Sequence, residues 1–148
     1  MRTNIRKLRK SGRTKGFTLL EILIVILIIG LIAALVVPNL LGQHQKANVV
    51  ATKVDIQRLE EILTFYHLDN QHYPSTEQGL EALVSEPSGF PEPRNWGPDP
   101  YIKKVPVDPW GNEYIYTNDG SDIEIYSRGA DGEDGGNGFN TDIRLSEL

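Results

Sequence analysis

Lys15-Gly16-Phe17-Thr18-Leu19-Leu20-Glu21 opens a run of 25 residues, 17–41, interrupted only by Thr18, Glu21, Gly30, Pro38 and Asn39. Between Ile22 and Val37 no side chain carries a charge or a hydrogen-bonding group. About 20 apolar residues at ~1.5 Å each cross a bilayer core, so the run predicts a single membrane-spanning helix. Ahead of it, residues 1–16 hold seven basic side chains (Arg2, Arg6, Lys7, Arg9, Lys10, Arg13 and Lys15) and no acid. That basic flank predicts a cytoplasmic N-terminus, with everything after the span on the far side. A secretory signal peptide also runs from basic to apolar, but its core is ~7–15 residues and a small-x-small cleavage site follows it. Here the run is longer, and the plausible processing point lies before it, at Gly16–Phe17.

Composition narrows the function. The 148 residues suit one domain, and the net charge of −5 conceals a division. Beyond residue 16 the chain carries 8 basic against 20 acidic residues, a net of −12. An acidic body lacks the basic face that nucleic-acid binding needs. With no cysteine there is no disulfide framework, thiol nucleophile or thiolate metal site. Three histidines, His44, His67 and His72, are few for a zinc enzyme. No G-x-S-x-G, Walker A or G-x-G-x-x-G pattern occurs. Trp96 and Trp110 read as core or loop anchors rather than ligand platforms. The chain is therefore expected not to be an enzyme.

Glu21 is the residue an apolar helix least tolerates. A carboxylate at bilayer depth costs ~2.5 kcal/mol or more unless it is paired or reaches the interface. One reading places it at the membrane edge, snorkelling to water. The other gives it a cation: cleavage after Gly16 creates an amine on Phe17, four residues and about 6 Å along the helix axis from Glu21. That amine can pair with Glu21 of its own chain or of a neighbour.

Residues 15–21 resemble the class III prepilin signal shared by type IV pilins and the pseudopilins of type II secretion. The resemblance implies cleavage after Gly16 by a prepilin peptidase, N-methylation of Phe17, and a role for Glu21 in registering subunits as a filament grows. Residues 1–16 would then be a removed leader, 17–41 the transmembrane and assembly helix, and 42–148 a periplasmic domain.

Helical patterning continues beyond the span. Ala47, Ala51, Val54, Ile62 and Phe65 fall on one stripe, with Lys46, Lys53, Glu60 and His67 recurring opposite. The stripe is expected to face the small domain. Ile56 and Leu63 fall off it, through a wide apolar face or through subunit packing. The helix would run from Phe17 to about Asp69, ~80 Å, with Pro38 a point where it can kink. Tyr73-Pro74 ends it, and Ser75 with Gln78 fits a capping box opening a short second helix over 75–83. Residues 87–100 hold five prolines and two glycines and read as an ordered loop anchored by Phe90, Trp96 and Tyr101. Two β-prone runs, 114–117 and 123–126, flank Asn118-Asp119-Gly120-Ser121 and predict an antiparallel hairpin; residues 101–107 offer a third strand.

Residues 73–83, Asp108-Pro109-Trp110-Gly111 and 126–132 resemble the major pseudopilins of type II secretion. The likeness runs from the leader to the last strand, and the absence of cysteine agrees with it. It implies an α+β, type IV pilin-like fold: a long N-terminal helix, its first half transmembrane, packed on a small domain with a short helix, a Pro/Gly-rich loop and a small antiparallel sheet. It implies a single-pass inner-membrane protein with a periplasmic domain. Such a subunit polymerises into a short helical filament that drives folded proteins through an outer-membrane channel. Implied partners are further copies, minor pseudopilins, the prepilin peptidase and an inner-membrane assembly platform. Two other readings are a type IV pilus subunit for adhesion or motility, and a membrane-anchored binding module that keeps its leader.

Residues 131–142 contain four acids and four glycines. On composition this is a solvated turn, although calcium takes six to eight carboxylate, amide and carbonyl oxygens of the kind it supplies. No EF-hand pattern is present. The resemblance implies a structural calcium in loop 128–142. Its ligands would be Asp131 and Asp142, with Asn140 standing where relatives often carry Asp, and the carbonyls of Arg128 and Phe139. Without the ion, repulsion among Asp131, Asp134 and Asp142 would loosen the segment.

Overall fold

Helix α1, Leu19–Asn70, organises the chain, and its bounds fall within two residues of those expected. The computed structural model describes residues 16–148, with the side chains of all but 35–41. Apart from Gly16, the expected leader lies outside the described residues, as does the side chain of Pro38. The chain divides into two compact units, Met1–Leu40 and Leu41–Leu148.

In the first unit the described apolar side chains of α1, up to Ala34, have no cover; Ile24 is 45% and Leu19 83% exposed. Among the described residues no helix is long and apolar enough to cross a membrane. The apolar part of α1 with described side chains, 19–34, covers ~24 Å, short of the ~30 Å of a hydrocarbon core.

In the second unit α1 buries Thr52, Ile56, Leu59, Leu63, Tyr66 and Asn70, spaced by three and four residues along one face. Leu80, Ala82 and Leu83 join them from a 3-10 helix, Leu80–Leu83, Tyr114 from just before the first strand, and Tyr116, Ile125 and Ile143 from the sheet. Each large apolar side chain so enclosed contributes ~1.5–3 kcal/mol. The buried face is not the expected one. Ile56 and Leu63 are fully enclosed, whereas Ala47, Ala51, Val54 and Phe65 are exposed and only Ile62 packs at the core margin. Polar members disguise the inner face. Thr52 returns its hydroxyl to the Asn48 carbonyl at 2.9 Å. Asn70 donates to the Tyr66 carbonyl and the Tyr101 hydroxyl while its Oδ1 accepts the Asn95 N–H. Asn70 thus fastens the Pro/Gly-rich loop to the end of α1.

Ser75 and Gln78 form the expected reciprocal box: Ser75 N–H donates to Gln78 Oε1 at 2.9 Å, and Gln78 N–H to Ser75 Oγ at 3.2 Å. The segment it opens is a turn followed by the 3-10 helix, not a regular α-helix. Trp96 and Tyr101 anchor the following loop against the core, Trp96 Nε1 donating to the Ala82 carbonyl at 2.8 Å. Phe90, expected as a third anchor, is 91% exposed.

The sheet has three antiparallel strands in the order β1 (Ile115–Asn118), β2 (Ile123–Ser127) and β3 (Ile143–Arg144). Tyr116 opposes Ile125, and Ser127 opposes Ile143. The expected third strand at 101–107 is reduced to one bridge, Val107 with Glu113. Tyr114 ties the sheet to α1, its hydroxyl donating to Asp55 at 3.1 Å. Burial, then the Asp55 charge, push its ionisation well above the usual phenol range. Ile56→Ala or Leu63→Ala should cost ~2–5 kcal/mol, and Val54→Ala within ~0.5 kcal/mol, as read by chemical denaturation. Equal losses at 54 and 56 would contradict this assignment of faces.

Candidate functional site

Three features outside the core carry chemistry. The first is the opening turn of α1. Thr18 stands at the N-cap, and its Oγ1 accepts the N–H of Glu21 at 3.2 Å. Thr18-x-x-Glu21 has capping-box spacing, and an acid in the first turn also meets the positive end of the helix dipole. Glu21 therefore also has a local place in the start of α1, beside its cost as a charge in an apolar helix. Phe17, 80% exposed, lies immediately before this cap.

The second is the outer face of α1 in the second unit. Val50, Val54, Phe65 and Leu68 are each 56–62% exposed, and Ala47 and Ala51 accompany them. At 100° per residue Val54 and Ile56 stand about 200° apart, so the helix is apolar on two opposite sides. Arg58 and Glu61 interrupt the outer stripe, and neither makes an ion pair among the described residues. The stripe leaves apolar surface exposed along this side of the helix.

The third is loop 128–142. Gly129 and Gly136 both have positive φ, +69° and +86°. A Cβ on Gly129 would lie 2.9 Å from the carbonyl oxygens of Phe139 and Asn140, and one on Gly136 would meet the Asn140 carbonyl still closer. Glycine at both places lets the 139–140 backbone fold onto the start of the loop. Ala130 N–H then donates to the Phe139 carbonyl, and Gly135 and Asp142 exchange two bonds: Gly135 N–H to Asp142 Oδ1, and Asp142 N–H to the Gly135 carbonyl.

The expected repulsion within this loop is relieved by two arginines. Arg128 pairs with Asp134 at 2.8 Å, and Arg144 with Asp142 at 2.6 Å while lying over the Tyr126 ring at 4.2 Å. Asp142 is the better enclosed carboxylate, its side chain 9% exposed. Asp131 and Asn140 are exposed, and Asp131 Oδ1 accepts the Glu133 N–H at 3.1 Å. Among the described residues no three acids or histidines gather as a ready-made metal cluster. The donor set nonetheless suits calcium in kind: carboxylate, amide and carbonyl oxygens only, with glycine at 129 and 136 admitting the close approach of the 139–140 backbone. A carboxylate has about four lone-pair sites, so Asp142 can accept its two present donors and still ligate.

The family model for protein G of the type II secretion system matches residues 39–146. The chain belongs to that family. The model of the prokaryotic N-terminal methylation motif matches residues 12–37, over the Gly16–Phe17 junction. Core protein G of Pseudomonas aeruginosa is 51% identical over 130 residues, covering 86% of this chain and 92% of that one. Its counterpart in Vibrio cholerae is 49% identical over 138 residues, covering 92% and 94%. Among solved structures, the major pseudopilin from the type 2 secretion system of enterohaemorrhagic Escherichia coli is 48% identical. It superposes with a TM-score of 0.65 over 76% of this chain and 98% of its own. The pilin-like α+β fold and the type II secretion reading therefore stand over the pilus and binding-module readings. A protein G family member is a structural subunit of the secretion system, not an enzyme.

Proposed function

We propose that this chain works as a major pseudopilin, stored as a single-pass inner-membrane protein and drawn from the membrane into a short periplasmic filament. The observation that carries the reading is the uncovered apolar surface of α1, at 19–34 and again at Val50, Val54, Phe65 and Leu68. Residues 17–41 cross the inner membrane before assembly, with the leader in the cytoplasm and residues 42–148 in the periplasm. Their length and composition support this, as does the charge of the leader. A prepilin peptidase removes residues 1–16 and methylates Phe17. Glu21 then pairs with the Phe17 amine of a neighbouring copy, while Thr18 keeps the helix start fixed. Minor pseudopilins and an inner-membrane platform complete the assembly. Filament growth moves folded proteins towards the outer membrane, and the chain itself makes or breaks no covalent bond.

Loop 128–142 holds a structural calcium, with Asp131, Asp142, Asn140 and the carbonyls of Arg128 and Phe139 as ligands. The ion would supply charge neutralisation to the region 119–148, which carries eight acids against two arginines. Arg144 already holds Asp142, so calcium shares that carboxylate with the guanidinium rather than meeting a bare anion.

The mature N-terminus should be a methylated Phe17 by intact mass, and Glu21→Ala should insert normally yet assemble poorly. An intact Met1 in the working protein, or full filament yield from Glu21→Ala, would refute the assembly mechanism. Calcium chloride should raise the melting temperature of the full chain in detergent, and Asp131→Ala should abolish the rise. Identical melting curves in calcium and in chelator would remove the ion from the account.

A further inference from the structure

The Asp108-Pro109-Trp110-Gly111-Asn112 turn contains a buried carboxylate that neither the filament nor the proposed ion site uses. Asp108 is 2% exposed, a costly place for a charge unless its oxygens are filled. They are filled. Oδ1 accepts the backbone N–H groups of Trp110 at 3.1 Å and Asn112 at 2.8 Å, and Oδ2 accepts the Ser127 hydroxyl at 2.6 Å. The Asp108 N–H donates to the Asn112 carbonyl at 2.8 Å. Asn112 is thereby clamped at both backbone groups.

Its side chain reaches out of this clamp into the loop. Asn112 Nδ2 donates to the Gly129 carbonyl at 3.2 Å, and Oδ1 stands 3.0 Å from where a Cβ on Gly132 would be. One amide therefore spans the segment 129–132, which holds Asp131 and follows directly on the Arg128 carbonyl. Ser127 Oγ meanwhile accepts the Gly129 N–H at 3.1 Å. Gly129 is gripped through its N–H and its carbonyl, and its Cα is the surface on which the Phe139 and Asn140 carbonyls rest. At the far end of the turn, Trp110 Nε1 donates to Gln45 Oε1 on α1 at 2.7 Å.

We propose that Asn112, clamped by buried Asp108, is a positioning residue that fixes the distance between the Arg128 carbonyl and Asp131 for the ion. The inference rests on the calcium reading of loop 128–142. Groups that orient ligands without touching the ion typically change affinity 10–100-fold when removed. Asn112→Ala deletes the amide while leaving every proposed ligand and the Asp108 backbone clamp in place.

The test is a calcium chloride titration of the full chain in detergent, followed by calorimetry and by Trp110 emission in a Trp96→Phe background. Wild type should bind with a change in Trp110 emission, because the turn carrying Trp110 holds the loop. Asn112→Ala should bind at least tenfold more weakly, with its melting temperature in chelator within a few degrees of wild type. A merely structural Asn112 would instead lower the chelator melting temperature and leave the affinity unchanged, overturning the proposal while calcium binding stands. If Asn112→Ala does not fold, Asn112→Gln displaces the amide by one methylene and carries the same expectation; wild-type affinity there also overturns it. A wild-type chain that takes up no calcium overturns both this inference and the ion site.

Discussion

One helix has to satisfy two partners, and most of the structure follows from that constraint. Along its second half α1 shows Ile56, Leu59, Leu63 and Tyr66 to the domain. The opposite side shows Val50, Val54, Phe65 and Leu68 to the outside. An isolated subunit can bury only the first set, so the hydrophobic effect that folds the domain leaves a second apolar surface unspent. Its core can be small because, among the described residues, α1 supplies four of the eleven buried hydrophobic side chains on one rigid element. The Leu80–Leu83 3-10 helix and the three short strands lie against that ready-made ridge.

The C-terminal loop obeys a different constraint, that of like charges held close together. Glycine permits the close backbone approach at residues 129 and 136, while Arg128 and Arg144 each neutralise one acid. Both guanidinium groups are partly exposed, so solvent screening keeps each pair weak. The loop therefore leans on its connection to Ser127 and Asn112, and through Trp110 to Gln45 of α1. The Asp108 turn is where the loop and the helix are joined.

Much of this architecture is legible in local sequence patterns, and the rest depends on contacts between distant residues. The bounds of α1, the hairpin and the Ser75–Gln78 box depend on local patterns: an unbroken apolar run, a turn between β-prone segments, and a three-residue spacing. The inner face of α1 was misassigned because hydropathy favours Ala47, Ala51, Val54 and Phe65 over a face containing Thr52, Tyr66 and Asn70. Those polar groups are acceptable inside only because distant partners satisfy them, as Asn95 and Tyr101 do for Asn70. The third strand was misplaced because Ile143–Arg144 is two residues long and gains its identity from pairing with β2. Phe90 reads as an anchor from composition, which cannot distinguish a loop aromatic that packs from one that points outward. The arginine pairs in the acidic loop were invisible for the same reason, since charge counts do not say who meets whom.

The central claim is that α1 carries one face for the domain and another for neighbouring copies. The chain has no cysteine, so one introduced thiol reports on one position. Thiol labelling of Val54→Cys and Ile56→Cys, before and after assembly, measures the two faces directly. The account predicts that position 54 reacts rapidly in the unassembled subunit and becomes protected in the filament, whereas position 56 is unreactive in both. Equal labelling of position 54 in the two states would contradict it.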